Sequence, residues 1–422
     1  MARLIYSALF YVMMPFVLLR LWRRGKVSPA YRQRISERFG FFAAFKSEKP
    51  VVWFHTVSVG EFIGAQPLIK HLLARSDISL VVTTTTPTGS ERVRAVFGEQ
   101  VFHVYSPYDT PDAVARFLTR TQPQLMLTME TELWPNVLAA CAARKIPTLL
   151  INGRLSEKSA RGYQKFSRLT RPMLESLSAA AIQNREDAAR FSALGLADHK
   201  QIITGNIKFD LTLDEQVIAK AQHLKNQINA KTTRAVFIAA STHAGEDEII
   251  LDAFVRLKKL APQLLLILVP RHPERFDRVV EQCVQTQLNV VRRSSQQDLS
   301  ECDILVGDTM GELLALYGAS DIAFVGGSLV ANGGHNFIEA AVWGLPLLSG
   351  PHVFNFAEVA RLLNLSGALL TVQDAEQLAK NVGELLEHPA RAIALGQAAL
   401  AVAEANRGAL TKTQAFVDKY LP

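Results

Sequence analysis

Cysteine is scarce, with only Cys141, Cys283 and Cys302 in 422 residues. None forms a Cys-X-X-Cys pair and no histidine stands at zinc-ligand spacing beside them, which excludes a disulfide scaffold or a structural zinc site. The three are expected to be buried small apolar residues in a reducing compartment. With 24 glycines, 18 prolines and 49% hydrophobic residues, the chain is neither collagen-like nor disordered. Charge of one sign is also lacking: 46 basic residues face 39 acidic ones, for a net +7. The basic residues are dispersed, and no zinc finger, basic zipper or aromatic RNA-binding signature accompanies them, so no nucleic-acid partner is expected. An Asp-X-Asp pair is absent too, which argues against a metal site.

One long hydrophobic run is present, Leu4 to Leu19, sixteen residues without a charge. As a helix it would measure about 24 Å at ~1.5 Å per residue, short of a ~30 Å hydrocarbon core. Pro15 would kink it. Arg3 precedes it, and Arg20, Arg23, Arg24 and Lys26 follow, a cluster suited to anionic lipid headgroups. The next residues, RLWRRG, offer no small-residue cleavage site, and the apolarity is unpatterned, unlike that of an amphipathic soluble helix. Residues 1–24 therefore read as a membrane anchor, spanning or interfacial, with the bulk of the chain in the cytoplasm.

From residue 51 short apolar runs alternate with helix-length segments: Val51–His55, Ser79–Thr83, Val101–Tyr105, Gln124–Met129, Pro147–Asn152, Ala179–Gln183 and Ile202–Gly205. The pattern restarts with Ala235–Ala240, Leu264–Val269, Asn289–Arg292, Asp303–Val306, Asp321–Val325 and Pro346–Ser349. Such alternation implies βαβ units and parallel sheets, here in two doubly wound α/β domains. The expected boundaries are an N-terminal Rossmann-like domain over 25–212, a polar, helix-compatible linker region over 213–231 and a second Rossmann-like domain over 232–422 that ends in helices. Ligands in such folds bind beyond the carboxyl ends of the strands, which predicts a site in a cleft between facing domains.

The chemistry-bearing residues fall at those strand ends. In His55-Thr56-Val57-Ser58-Val59-Gly60-Glu61 the carboxylate is suited to remove a proton from a hydroxyl, or is simply an acidic residue favoured in a first helical turn. Glu130 and Glu132 follow an apolar strand beside Trp134, and Lys208 follows the last strand of the first series. These are either a charged site or a solvated loop and a surface lysine. In the second half Pro270 and Pro273 flank Arg271-His272, a rigid turn where arginine can clamp an anion. Gly307 to Glu312 forms another strand-to-helix junction. A glycine-rich stretch, Gly326-Gly327-Ser328 and then Gly333-Gly334-His335-Asn336-Phe337-Ile338-Glu339, feeds a helix start. Its amides could hold a phosphate and Glu339 a ribose diol, as expected for a nucleotide-linked donor.

HTVSVGE, TTTTPTGSERV, METELWPN, GNIKFD, VPRHPERF, GDTMGEL and GGHNFIEAA occur in one order along nearly the whole chain. In that order they resemble the 3-deoxy-D-manno-octulosonic acid (Kdo) transferases of lipopolysaccharide assembly. The resemblance implies a GT-B glycosyltransferase that moves Kdo from CMP-Kdo to the lipid A precursor lipid IVA, with inversion and without metal or cofactor. It implies a place on the cytoplasmic side of the inner membrane, held by the N-terminal segment. On this resemblance Glu61 matches the base, and Glu130 and Lys208 match residues that stabilise the transition state. Pro270, Arg271, Met310, Gly311, Glu312, Asn336, Phe337, Ile338 and Glu339 match the CMP-binding segments. Phe337 departs from the proline frequent there, a change expected to be tolerated if backbone amides make the contact. The rival readings are a UDP-sugar transferase of the same fold and a membrane-tethered nucleotide-sugar sensor.

Overall fold

The computed structural model describes residues 1–422, apart from the side chain of Val27, and divides into two compact units. The first comprises residues 1–210 and 407–422, the second residues 211–406.

Seven parallel strands form the sheet of the first unit. They are β1 (Val51–His55), β2 (Ser79–Thr84), β3 (Phe102–Tyr105), β4 (Leu125–Met129), β5 (Thr148–Gly153), β6 (Ala179–Ile182) and β7 (Gln201–Ile203). Their spatial order is β3-β2-β1-β4-β5-β6-β7. Central strand β1 pairs Val52 with Leu80 on one side and Leu125 on the other. All five of its residues are buried, because helices cover both faces of a parallel sheet. The helices are α1 (Ala2–Val27), α2 (Val59–Leu73), α3 (Pro87–Phe97), α4 (Pro111–Thr121), α5 (Pro135–Ala143), α6 (Glu157–Lys165), α7 (Ser167–Glu175) and α8 (Arg185–Ala193).

The second unit repeats the plan. Its strands are β8 (Val236–Thr242), β9 (Leu265–Pro270), β10 (Val290–Arg292), β11 (Ile304–Val306), β12 (Ile322–Val325), β13 (Leu347–Ser349) and β14 (Leu369–Thr371). They lie parallel in the order β10-β11-β9-β8-β12-β13-β14. The helices are α9 (Glu215–Ile228), α10 (Asp247–Leu260), α11 (Phe276–Val284), α12 (Leu313–Gly318), α13 (Ile338–Ala341), α14 (Ala357–Leu365), α15 (Ala375–Glu387) and α16 (Pro389–Ala405). A last helix, α17 (Ala409–Asp418), returns to the first unit.

The structure departs from the sequence reading in three places. The stretch 213–231 is not a linker: it holds α9, which packs on α12 through buried Ala221 and Leu224. Lys225 Nζ of α9 lies 2.9 Å from Asp321 Oδ1. Nor does the second domain run to 422. Ala409, Phe416 and Val417 are buried in the first core with Val52, Phe54 and Leu127. Finally, α1 continues past residue 24 to Val27.

Asp210 ties this returning segment down. Its two carboxylate oxygens accept hydrogen bonds from the amides of Gly408 at 2.6 Å and Leu410 at 2.7 Å, at the start of α17. Asp210→Ala should therefore cost about 1–2 kcal/mol, as loss of a helix cap does. The measurement is the urea midpoint, which should fall.

Candidate functional site

In the first sheet the strand order reverses between β1 and β4, the point where such folds bind ligands. Beyond β1, Ser58 is extended at φ −108° and ψ 164° and caps α2, its Oγ accepting the Glu61 amide at 3.2 Å. The Glu61 side chain folds back in a capping-box arrangement. Its carboxylate accepts hydrogen bonds from the Ser58 hydroxyl and the Val57 amide, both at 2.8 Å. Glu61 is only 9% exposed. Burial above all, then the charge of Glu132, raises its pKa to about 7 against the pull of those two hydrogen bonds.

Beyond β4 the chain turns through Glu130, which takes the left-handed conformation at φ 51°. Burial pushes its pKa up, but the cations prevail and the net direction is down. Lys208 Nζ lies 2.6 Å from Oε1 and Arg154 Nε lies 2.9 Å from Oε2. Glu132 is shifted the other way. Burial and the charge of Glu130 raise its pKa, opposed by the Trp134 indole N–H, which donates at 2.9 Å. Lys208 reaches the cluster across α2 at Gly64, where an added Cβ would stand 3.7 Å from Cε. Its turn is set by buried Asn152, whose Oδ1 accepts the Ile207 amide at 3.1 Å. His55 lies edge-on to Trp134, and burial depresses its pKa to about 3, so it is neutral.

In the second unit the order reverses between β8 and β12. Pro270 ends β9, and the Arg271 amide donates to the Thr242 carbonyl at 3.0 Å. The Arg271 guanidinium acts on His243, His272, His335 and Glu339. His243 and His335 stack with their Nε2 atoms 2.8 Å apart. Burial and the neighbouring positive charges lower their pKa values to about 4 and about 3. Asn336 Nδ2 donates to Glu339 Oε1 at 3.1 Å, and burial raises the pKa of Glu339.

Part of the glycine-rich stretch is already occupied. The amides of Gly327, Ser328 and Leu329 are not available to a phosphate, because the buried carboxylate of Glu246 accepts all three at 2.6 to 2.9 Å. Moreover α13 is a single turn, the side chains of Phe337 and Ile338 are fully buried, and the Ile338 amide donates to Asn336 Oδ1. The Asn336 and Glu339 side chains remain partly exposed beside it. Met310 is 66% exposed and Gly311 open, whereas Glu312 is held by Thr309 and by Arg293 at 3.2 Å. Among the described residues no hydrogen bond or ion pair joins Met310 to Glu312 with the Arg271 group.

The structure thus gathers Glu61, Glu130 and Lys208 into one cluster, and Arg271, Asn336 and Glu339 into another. A family profile for 3-deoxy-D-manno-octulosonic-acid transferases matches residues 33–211, and one for group 1 glycosyl transferases matches 219–401. The 3-deoxy-D-manno-octulosonic acid transferase of Haemophilus influenzae is 41% identical over all of this chain and 99% of its own. The chain belongs to the Kdo transferase family. The enzyme of the same name from Bordetella pertussis is 36% identical, with both chains fully covered. A crystal structure of a glycosyltransferase from Rickettsia africae superposes with a TM-score of 0.58 over 89% of this chain and 98% of that one. At 13% identity that likeness speaks for the fold alone, which is GT-B.

The transferase also holds these groups in place with residues that the sequence reading passed over. Asn152 stands near the end of β5 and Arg154 directly follows it, the same strand-end position as Glu130 after β4. Glu246 closes Thr242-His243-Ala244-Gly245-Glu246, a Thr…Gly-Glu loop like Thr56 to Glu61, and that echo was the available signal. Carboxyl-carbon NMR of the Kdo transferase should show Glu61 titrating near pH 7. In Glu132→Gln that midpoint should move to lower pH, because a like charge is removed. An unchanged midpoint would remove Glu132 from the causes of the shift.

Proposed function

We propose that this Kdo transferase takes the sugar from CMP-Kdo and joins it to lipid IVA, the tetraacyl disaccharide bisphosphate, with inversion and without a metal ion. Glu61 accepts the proton of an acceptor hydroxyl as its oxygen attacks the anomeric carbon. The bond from that carbon to the phosphate oxygen breaks on the opposite side, and CMP leaves with the electron pair. The observation that carries this reading is a buried carboxylate with a pKa of about 7 at the switch point of the first sheet. Such a base is half ionised at working pH and gains a proton at little cost.

Glu130, kept ionised by Lys208 and Arg154, offers negative charge to the cationic sugar carbon of the transition state, and Lys208 can turn to developing anionic charge. On the donor side Arg271 answers the carboxylate and phosphodiester of CMP-Kdo, and Asn336 and Glu339 suit ribose hydroxyls. Pro270 and the exposed Met310–Gly311 turn with Glu312 complete the proposed CMP contacts, with Phe337 and Ile338 supporting from the core. The lipid acceptor places the enzyme on the cytoplasmic side of the inner membrane, with α1 as its attachment.

Glu61→Gln should lower kcat by at least about a thousandfold while leaving the Kd for CMP-Kdo within about twofold, as expected for loss of a general base together with its charge. Turnover near the wild-type rate would remove Glu61 from the mechanism. Excess EDTA should leave transfer to lipid IVA unaffected, as followed by mass spectrometry of the product. Inhibition that Mg²⁺ reverses would overturn the metal-free account.

A further inference from the structure

We infer that α1 lies along the surface of an anionic bilayer, with its outer stripe in the lipid, and does not cross the membrane. The inference rests on the membrane attachment proposed above and adds a topology to it.

The helix is apolar on two sides for two different reasons. Ser7, Phe10 and Met14 recur at spacings of three and four and turn toward the protein, with Ser7 and Met14 buried. Ser7 Oγ lies 3.1 Å from Asn136 Oδ1, and Phe10 packs on Tyr108 with ring centroids 6.4 Å apart. Ile5, Leu9, Val12, Phe16 and Leu19 recur at the same spacing on the outer side, all exposed, Leu9 at 60% and Phe16 at 62%. Two apolar stripes on one helix erase the amphipathic pattern that a surface helix usually shows.

Polar contacts at mid-helix rule out a crossing. Tyr11 stands near the centre of the apolar run, and its hydroxyl donates to Asp112 Oδ1 at 2.5 Å. Asp112 in turn pairs with Arg116, while buried Asn136 donates to Ser7 Oγ and to the Asp109 carbonyl. A helix standing across the bilayer would carry these groups, and the starts of α4 and α5, to the level of the hydrocarbon midplane. Charged side chains and loop backbone facing lipid are excluded there. Lying flat requires neither.

Lying flat also puts the remaining features to use. The 26 residues make a rod of about 39 Å. At its C-terminal end Trp22, Arg20, Arg23 and Arg24 are exposed, an aromatic and cations fit for the headgroup layer. Helix α7 packs on α1, and the bend before it exposes Lys165, Arg168 and Phe166, the last at 69%. An apolar stripe bordered by cations complements a negatively charged lipid face.

Two measurements on the full chain test this. In flotation with vesicles containing phosphatidylglycerol, the wild type should bind, more weakly to pure phosphatidylcholine, and Leu9→Glu with Phe16→Glu should bind at least about tenfold more weakly with unchanged thermal unfolding. Absence of wild-type binding would defeat the membrane reading itself. Topology is read separately, by labelling Ala2→Cys and, as a reference on the body, Lys380→Cys with an impermeant maleimide in inside-out vesicles and spheroplasts. Both cysteines should label from the same face. Labelling of position 2 only from the opposite face would overturn the inference and leave membrane attachment standing. A stable dimer in solution that shields a cysteine at Leu9 would overturn it as well.

Discussion

Three carboxylates crowd the strand ends of the first domain, and two cations, Lys208 and Arg154, pair with Glu130. Lys208 and Arg154 both close on Glu130, which stays ionised in a setting that would otherwise neutralise it. Glu132 and Glu61 then face that charge, and burial together with like charge raises the pKa of both. The local charges balance when one of the three carboxyl groups holds a proton, and the proton's place is weakly contested because Glu61 titrates near neutrality. The neutral ring of His55 adds no compensation. Removing one partner of a buried ion pair typically costs roughly 3–5 kcal/mol, so the Glu130 contacts hold the cluster in shape as well as in charge.

The second domain answers the same loop with a different outcome. Thr242 to Glu246 turns out of β8 as Thr56 to Glu61 turns out of β1, and each glutamate folds back onto nearby amides. Glu61 spends one backbone hydrogen bond this way and keeps contact with solvent. Glu246 accepts the amide of His243 and three more from the glycine-rich loop, and is fully buried. One carboxylate stays at the edge of solvent, and the other shapes a loop. Gly327 is needed beneath it because the ring of His335 lies where a Cβ would come within 3.0 Å, at a φ of +70°.

How much of this is legible in the residues depends on how local each cause is. Strands β1 and β8 read directly as unbroken apolar runs, since a parallel strand covered on both faces has no polar alternation to blur it. Strand β14, three residues of mixed burial, leaves no such trace. Helix α9 passes for a linker because few of its side chains turn inward. Glu61, Glu130 and Lys208 stand at strand ends and can be picked out as candidates. That Lys208 meets Glu130, 78 residues away, is a matter of sheet order, and the part of Asn152 in aiming that lysine is invisible until the chain returns to it. The glycine-rich loop misleads for a related reason: its amides look vacant in one dimension and are filled by a residue some 80 positions earlier.

The return of residues 407–422 to the first core has a bearing on synthesis. A ribosome delivers β1 to β7 long before it delivers Ala409, Phe416 and Val417, so that core stays open at one side while the whole of 211–406 is translated. The domain encoded second has every strand and helix it needs earlier than the domain encoded first. Co-translational order is thereby inverted, and the nascent first half must be kept from sticking to its surroundings until the tail arrives to seal it.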